Sequence, residues 1–373
     1  MNSNAEMDFI KINLESESYK IFFGKDYIEN SANYIREFTK TNKIAIITDE
    51  NTANLYLNKI SRSLLESKYE VIHIILKSGE KIKNLSSVEN VINTLLKKRF
   101  ERDDLIIGLG GGVIGDLAGF IASIIHRGVN FINFPTTLLA QVDSSIGGKT
   151  GVNTKYGKNL IGSFKQPLAV FSDTSSLSTL PVREIKAGYS ELVKHALIKD
   201  NELFMWLCEN WNVIFNQEEE IIKAIKWSSN IKAALVQEDV RERGSRALLN
   251  LGHTYAHAIE SLLKYDGTIL HGEAVSVGII LAYQTSYLLG YSKKDELNKI
   301  TEHFNDVGLI TDLRKFNKDN IDSDMLLNAM NNDKKVKSGQ KTFIIPEGIG
   351  KAFISNKIND EIIKSIVDTA LAS

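Results

Sequence analysis

Short β-rich runs alternate with helical stretches through the first half of the chain, and this alternation restricts the fold more than any other feature. Because strands separated by helices are typical of βαβ units, the pattern predicts a largely parallel sheet with crossover helices. The preceding segment, 9–23, alternates polar and apolar residues and predicts antiparallel strands that flank the sheet. The five β-rich runs are 43–48, 69–76, 104–110, 130–135 and 168–173.

The character of the sequence changes after Pro181. Residues 185–263 and 272–308 carry apolar residues at three- and four-residue spacing, which predicts long helices. We therefore expect an α/β domain at 1–180 and a helical domain at 181–373. Ligands of parallel α/β sheets bind at the carboxyl ends of the strands, so the site is expected in a cleft between the two halves.

Composition excludes several other classes of protein. The formal net charge is -1, so no overall field favours nucleic acid or a membrane surface. The single cysteine, Cys208, excludes an internal disulfide framework and suits a reducing cytoplasm. The N-terminus lacks the basic and apolar regions of a secretory signal. The apolar segment 106–125 contains six glycines and Asp116, which favours a strand, a tight turn and a helix over a membrane span.

A glycine-rich turn follows the run 104–110. Gly110, Gly112 and Gly115 stand in GxGxxG register ahead of an apolar helix, where backbone amides can approach a pyrophosphate. A purely structural tight turn would also explain these glycines. The acid expected about 20 residues downstream is missing, because residue 135 is a proline. Asp49 is the better candidate for the ribose hydroxyls, with a helix N-cap as its alternative role.

Polar residues are dense in the segment 136–164, which is neither an amphipathic helix nor a clean strand. Such segments near strand ends often serve a ligand, although a solvated loop is the alternative for any one residue. Lys149 and Lys158 can bring charge to a phosphate, and Asp143 and Asn159 can orient hydroxyls. Other polar residues just past strands are Thr136, Thr137 and the segment 78–83.

Three of the seven histidines lie within 19 residues of one another. His253 and His257 are four apart on one helical face, and His271 opens the next apolar helix. Glu191 shares a helical turn with Lys194 and His195. Imidazoles with one carboxylate and an open position describe a catalytic zinc site. The spacing leaves open whether His257 is a ligand or a base. Four histidines lack comparable neighbours and receive no role: His73, His126, His195 and His303.

A face with Lys232, Glu242, Arg246 and Asn250 leads along a helical stretch into His253. It is either an exposed polar face or a wall that binds an anion, and the adjoining histidines favour the wall.

Seven segments together resemble the 3-dehydroquinate synthase family: GGGVIGDLAGF, HRG, FPTTLLAQVDSSIGGKTGVN, GKNLIGSFKQP, GYSELVKHALI, RALLNLGHTYAHAIE and LHGEAVSVG. The resemblance extends from about Phe22 to the C-terminal third. It implies a Rossmann-like N-terminal domain, a helical C-terminal domain, an active site between them and a homodimer, for which the single cysteine favours a cytoplasmic location. The implied cofactors are NAD and Zn²⁺, with Co²⁺ as an alternative metal.

The resemblance also implies roles for individual residues. Glu191, His253 and His271 would hold the metal, which leaves His257 for acid/base work. Arg127 would reach a neighbouring subunit, and a DKK element at Asp333, Lys334 and Lys335 would meet the substrate phosphate. The implied catalytic and substrate-binding residues are Arg127, Asp143, Lys149, Asn159, Lys194, Lys232, Arg246, Asn250 and His257. With the candidates above, the cofactor-binding set is Asp49, Ser78, Gly79, Glu80, Lys81, Lys83, Gly112, Val113, Ile114, Gly115, Asp116, Thr136, Thr137, Lys149, Lys158, Ser176, Leu177, Ser178 and Thr179.

The chemistry implied by the family is redox-neutral. NAD oxidises C5 of 3-deoxy-D-arabino-heptulosonate 7-phosphate, which acidifies the C6 proton and permits β-elimination of phosphate. The hydride then returns, and ring opening and aldol closure give 3-dehydroquinate. Alternatives with the same architecture are another sugar phosphate cyclase and a metal-dependent polyol dehydrogenase. A catalytically silent nucleotide-binding or scaffolding protein is a third.

Overall fold

The computed structural model describes residues 7–15, 17–263, 267–316, 321–331 and 341–372. The chain forms two compact units, Met1–Pro181 and Val182–Ser373, and each is described by itself. Asp333, Lys334 and Lys335 lie outside the described residues. Across the described part, none of the helices is both long and apolar enough to span a membrane.

The first unit is built on a seven-stranded sheet with the order β1-β2-β9-β6-β5-β3-β4. Its strands and those of a separate hairpin are β1 Phe9–Ile12, β2 Tyr19–Gly24, β3 Lys43–Asp49, β4 Glu70–Leu76, β5 Leu105–Gly110, β6 Asn130–Pro135, β7 Lys149–Thr154, β8 Gly157–Phe164 and β9 Ala169–Asp173. The helices of this unit are α1 Ser31–Ile35, α2 Glu50–Thr52, α3 Asn58–Glu66, α4 Leu85–Lys97 and α5 Gly112–Ile124.

The central strands pair in parallel, as the alternation of strands and helices predicts. Every residue of β5 is buried, because helices cover both faces of the sheet. One core packs α1 and α3 against one face, and a second packs α4 and α5 against the other. The antiparallel prediction for 9–23 is confirmed for β1 and β2, but β2 runs parallel to β9 on its other side.

The segment 149–164 corrects the sequence interpretation, because it forms an antiparallel hairpin of β7 and β8. Its glycines and polar residues have low strand propensity and conceal this pairing. One of these glycines is required by the pairing itself. A Cβ at Gly162 would lie 2.2 Å from Thr150 O, so only glycine lets the two backbones approach.

The second unit is mainly helical, which confirms the predicted fold class. Its helices are α6 Val182–Lys199, α7 Asn201–Ile214, α8 Glu218–Glu238, α9 His253–Leu262, α10 His271–Leu288, α11 Lys294–Val307, α12 Ser323–Asn331 and α13 Asp360–Ala372. A hairpin of β10 Phe343–Pro346 and β11 Ala352–Ser355 was not predicted. A Cβ at Gly272 would lie 1.9 Å from Ala187 O, so glycine permits the close crossing of α10 over α6.

A histidine without a role in the sequence analysis lies in the core of the helical unit. His303 on α11 is 3% exposed, and its Nε2 lies 3.1 Å from the hydroxyl of Tyr189. Burial lowers the pKa of His303 to about 4, against a smaller opposing effect of Asp306. The imidazole is therefore neutral in the folded chain at neutral pH.

We expect His303 to make the protein less stable in mild acid. The unfolded chain takes up this proton near pH 6.5, whereas the folded chain does so only near pH 4. The unfolded state thus binds more protons between these values, and stability is lost as the pH falls through them. Between pH 8 and pH 5 this contributes a loss of about 2 kcal/mol. Denaturant titrations should show that loss reduced in His303→Gln and retained in His73→Gln, which changes an exposed histidine. Equal losses in all three proteins would contradict the assignment.

Candidate metal centre and nucleotide-binding edge

Three helices of the second unit bring one carboxylate and two imidazoles together. Glu191 lies on α6, His253 begins α9 and His271 begins α10. Their ligand atoms all lie within 4.8 Å of one another. Glu191 Oε1 is 3.6 Å from His253 Nε2 and 3.5 Å from His271 Nε2. The cluster therefore matches the set of three protein ligands that is typical of an open catalytic metal site.

A contact at Nδ1 orients each imidazole so that its Nε2 faces Glu191. Nδ1 of His253 lies 3.1 Å from Leu251 O, and since a carbonyl only accepts, Nδ1 carries the proton and Nε2 is left for a metal. Nδ1 of His271 lies 3.3 Å from Glu260 Oε2. Burial alone would lower the pKa of His271, but Glu260 and Glu191 raise it to about 10. Each ring thus presents Nε2 to Glu191.

His257 lies one turn after His253, with its ring centroid 5.6 Å from that of His253 and 6.3 Å from that of His271. It is close to the cluster, but the compact ligand set consists of the other three residues. Lys194 Nζ contacts Glu191 Oε2, and its side chain is 1% exposed. The geometry favours three ligands, with His257 and Lys194 beside them.

The predicted anion-binding wall, the face with Lys232, Glu242, Arg246 and Asn250, requires a correction. Lys232 lies on α8, which ends at Glu238, whereas Arg246 and Asn250 lie on a separate 3₁₀ helix, Ser245–Asn250. The three residues therefore do not share one continuous helical face. Asp239 divides the stretch, because its carboxylate accepts hydrogen bonds from the amides of the turn that follows. Lys232 is 5% exposed and Arg246 1%, so the solvated alternative is wrong for both.

The glycine-rich turn of the first unit joins β5 to α5, as the sequence predicts. The N-cap residue of α5, Gly111, has no side chain that could cap the first amides of the helix. Thr136 N donates to Gly110 O at 3.0 Å, which fixes the end of β6 beside the turn. Thr137 Oγ1 accepts from Ala140 N at 3.2 Å. These residues form one edge at the carboxyl ends of β5 and β6, where a nucleotide is expected.

Asp49 ends β3 and caps the helix that follows. Its Oδ1 accepts from the amides of Asn51 and Thr52 at 3.0 Å, and its Oδ2 accepts from Thr52 Oγ1 at 3.0 Å. The alternative N-cap role is therefore confirmed, and contact with a ribose stays a prediction. The segment 176–179 lies in a 3₁₀ helix, Thr174–Thr179, directly after β9.

A buried lysine joins three segments that the sequence analysis treated separately. Lys83 is 4% exposed, and its Nζ donates to Asp116 Oδ2 at 2.5 Å and to Asn159 Oδ1 at 2.6 Å. Burial would lower the pKa of Lys83, but Asp116 and Glu80 raise it. Asn153 Nδ2 also donates to Glu80 Oε1 at 2.7 Å. The 78–83 segment, α5 and the hairpin are thus held together by a charged contact.

The other predicted residues of the first unit lie along the hairpin and the loops. Lys149 is exposed at the start of β7, Lys158 is half-buried on β8, and Asp143 lies in a π-helical turn, Ala140–Ser144. Arg127 is exposed after α5 and has a left-handed backbone with φ of 64°. Its position at the surface is compatible with a role towards another molecule.

Sequence reasoning missed Glu260, Asp173 and Gln141. Glu260 is 4% exposed and orients His271, and its signal was an acid on the apolar face of α9, seven residues after His253. Asp173 and Gln141 are 1% and 0% exposed. Asp173 ends β9 and Gln141 lies within the π-helical turn, and neither local sequence indicates the distant partners that the fold brings to these side chains.

This chain is similar to known proteins in both sequence and architecture. Family models described as the N-terminal and C-terminal parts of 3-dehydroquinate synthase match residues 73–187 and 188–336. A 3-dehydroquinate synthase of Bartonella tribocorum is 44% identical over 97% of this chain and 98% of that protein. One of Rhizobium meliloti is 45% identical over 94% of this chain and 93% of that protein.

Among solved structures, a 2-deoxy-scyllo-inosose synthase complexed with carbaglucose-6-phosphate, NAD⁺ and Co²⁺ matches with a TM-score of 0.86 and 27% identity. The match covers 97% of this chain and 100% of that chain. The fold, the cluster of candidate metal ligands and these relatives therefore define an NAD-dependent cyclase of the sugar phosphate cyclase class. Within that class, the chain belongs to the 3-dehydroquinate synthase family.

Proposed function

We propose that this chain converts 3-deoxy-D-arabino-heptulosonate 7-phosphate to 3-dehydroquinate and phosphate, a lyase reaction of the shikimate pathway and aromatic amino acid biosynthesis. The observation that carries the proposal is the convergence of Glu191, His253 and His271 in a chain that matches this family along most of its length. A second support for the proposal is the edge formed by the strand ends and the glycine-rich turn, which is suited to binding NAD.

The residues present fit a divalent cation such as Zn²⁺ or Co²⁺. A buried carboxylate and two imidazoles face one point, and each imidazole has a second contact that fixes its orientation. When bound, the cation supplies Lewis acidity to substrate hydroxyls, and NAD accepts and returns a hydride. We assign the cation to Glu191, His253 and His271.

The surrounding side chains of the helical unit bind and orient the substrate. We assign the substrate carboxylate to Arg246 and Lys232, because both cations are held in buried positions. Arg246 Nη1 donates to Val240 O at 2.5 Å, which fixes the guanidinium. Asn250 Nδ2 donates to Glu242 Oε1 at 2.6 Å, and we assign the side-chain carbonyl oxygen of Asn250 to a substrate hydroxyl. An imidazole nitrogen of His257 holds and moves a proton beside the metal ligands.

In the first unit, the proposed nucleotide contacts are the glycine turn, the strand ends and Lys83 with Asp116. Lys149 and Lys158 on the hairpin are assigned to phosphate groups of the bound ligands, and Asp143 and Asn159 are assigned to hydroxyl groups of those ligands. Lys194, buried against Glu191, balances the charge of that carboxylate. Asp49 is given no specific nucleotide contact in this proposal, since its two carboxylate oxygens already cap a helix.

One assay distinguishes the proposed reaction from its rivals. The protein is incubated with the heptulosonate phosphate, Zn²⁺ and a trace of NAD, while phosphate release and NADH absorbance are followed together. Phosphate in large excess over NAD without lasting NADH is the expected result. Accumulation of NADH would support a polyol dehydrogenase, and neither signal would support a silent binding protein. Turnover only of a substrate without the carboxylate would support another sugar phosphate cyclase.

We further propose a cytoplasmic homodimer in which Arg127 completes the partner's site. The support is a group of exposed apolar side chains around the hairpin and the end of α5, with Ile124, Leu160 and Phe164 each more than 40% exposed. Such residues are typical of an interface.

If the site is shared, two inactive variants should complement each other. Arg127→Ala and Lys149→Ala are expected to be inactive alone. A randomly exchanged mixture of the two should recover about a quarter of wild-type turnover, because half of its dimers are heterodimers and each of these contains one intact site of two. The measurement is phosphate release after mixing and subunit exchange, with sedimentation to verify dimers. Absence of recovery in verified heterodimers would place Arg127 and Lys149 in the same subunit's site.

A further inference from the structure

Four buried residues join the carboxyl ends of β6 and β9 in the first unit, and we call this group the strand-end clamp: Tyr56, Gln141, Asp173 and Ser176. The central member, Gln141, is 0% exposed. Its Nε2 lies 3.1 Å from Pro135 O, 2.9 Å from Asp173 O and 3.2 Å from Ser176 Oγ. Pro135 ends β6 and Asp173 ends β9, so one amide group ties two strand ends together.

The chemistry of these contacts fixes the orientation of the amide. Both carbonyl oxygens can only accept, so the NH₂ group of Gln141 must face them. Ser176 Oγ donates its own proton to Asp173 O at 2.7 Å and can therefore accept from Gln141. Removing the NH₂ group would leave two buried carbonyl oxygens with one partner fewer, which costs stability and frees the strand ends.

The clamp continues on both sides of Gln141. The Asp173 carboxylate accepts from Asp26 N at 3.1 Å and Ile28 N at 2.9 Å, and it caps the 3₁₀ helix through Ser175 N at 3.1 Å. The Tyr56 hydroxyl bonds Ser176 O at 3.1 Å and Thr179 Oγ1 at 2.5 Å. The segment 176–179 is thus held from two directions.

The clamp also fixes the neighbours of the glycine turn. Gln141 belongs to the turn that begins at Thr137, because the backbone N–H of Gln141 donates to Thr137 O at 2.9 Å. Thr136 N in turn donates to Gly110 O. The side chain of Gln141 therefore sets the distance between the strand ends that carry Thr136, Thr137 and 176–179, although the side chain itself is sealed from solvent.

We infer that Gln141 is a positioning residue for the dinucleotide, acting through the strand ends rather than by contact with it. The inference rests on the proposed function, which assigns Thr136, Thr137 and 176–179 to NAD. A small spread of the strand ends would misplace these groups together, so the effect should fall on NAD affinity. Leaving buried carbonyl oxygens with fewer hydrogen-bond partners costs about as much free energy as a roughly 10- to 100-fold change in a binding constant.

The test is the Kd for NAD of Gln141→Met, which keeps the length and removes both donors, measured by calorimetry on the full chain loaded with Zn²⁺. We expect a Kd for NAD raised roughly 10- to 100-fold with unchanged Zn²⁺ affinity. The matched control is Leu95→Ala, which destabilises the same unit through a 0% exposed residue of the other core, the one that packs α4 and α5, and should leave the Kd unchanged. An equal rise in both variants would show a general loss of stability and overturn the inference.

A second variant protects the test against loss of folding. Tyr56→Phe removes one hydroxyl and should also raise the Kd for NAD, with Zn²⁺ affinity unchanged. Wild-type NAD affinity in both Gln141→Met and Tyr56→Phe would overturn the inference while leaving the proposed function intact. If the wild-type protein itself bound no NAD, that result would contradict the proposed function, and with it the inference about Gln141.

Discussion

Replacement of His253 by alanine is expected to lower turnover on the order of 1,000-fold or more, because loss of a ligand should exceed the roughly 10- to 100-fold cost of losing a partner of a ligand. The variant removes one of the two imidazoles whose Nε2 atoms face Glu191 Oε1. The remaining pair cannot retain the cation at ordinary metal concentrations. Phosphate release and bound Zn²⁺ should fall together, while circular dichroism stays that of the wild type.

Two other histidine variants make this result specific. His257→Ala should lose turnover but keep its Zn²⁺, because His257 lies beside the ligand set rather than within it. His73→Ala, at an exposed histidine bonded to Ser61, should keep both. If His253→Ala retained full Zn²⁺ and turnover, the metal would have to be placed elsewhere.

The second large effect is expected for Lys83→Met. This change removes a cation that contacts Asp116 Oδ2 and a donor to Asn159 Oδ1, in a place where the lysine is 4% exposed. Breaking a buried ion pair from one side costs about 3 kcal/mol, although Asp116 is 19% exposed and solvent will reduce that figure. We also expect weaker NAD binding, because the 78–83 segment, α5 and the hairpin lose their common contact.

Denaturant titration and NAD calorimetry measure these two consequences. Lys97→Met is the matched control, since it removes an exposed lysine from α4 in the same unit and should change neither quantity. A Lys83→Met protein with wild-type stability and NAD affinity would show that the buried contact holds nothing together.

Local patterns in the sequence were sufficient for much of this architecture. The buried strand β5 reads as a continuous apolar run because both its faces are covered, and the four-residue spacing of His253 and His257 places them on one face of α9. The resemblance to the family then supplied the choice among candidate ligands. Spacing alone had left His257 as a fourth possibility, which the geometry does not favour.

Contacts between distant residues could not be predicted in the same way. Lys83 and Asn159 are 76 positions apart, and nothing in either local sequence announces their bond. The hairpin of β7 and β8 was missed because its glycines weaken strand propensity while permitting close backbone contact. The face from Lys232 to Asn250 was read as one helix because periodicity cannot show that Asp239 ends α8 and organises a turn.

The most direct measurement of the central claim is the identity of the product formed with far less NAD than substrate. Nuclear magnetic resonance of a reaction with carbon-labelled heptulosonate phosphate should show the closed ring of 3-dehydroquinate, accompanied by one phosphate per substrate and no net NADH. An open-chain ketone formed in proportion to the NAD supplied would contradict the account, because the chain would then oxidise its substrate without closing a ring.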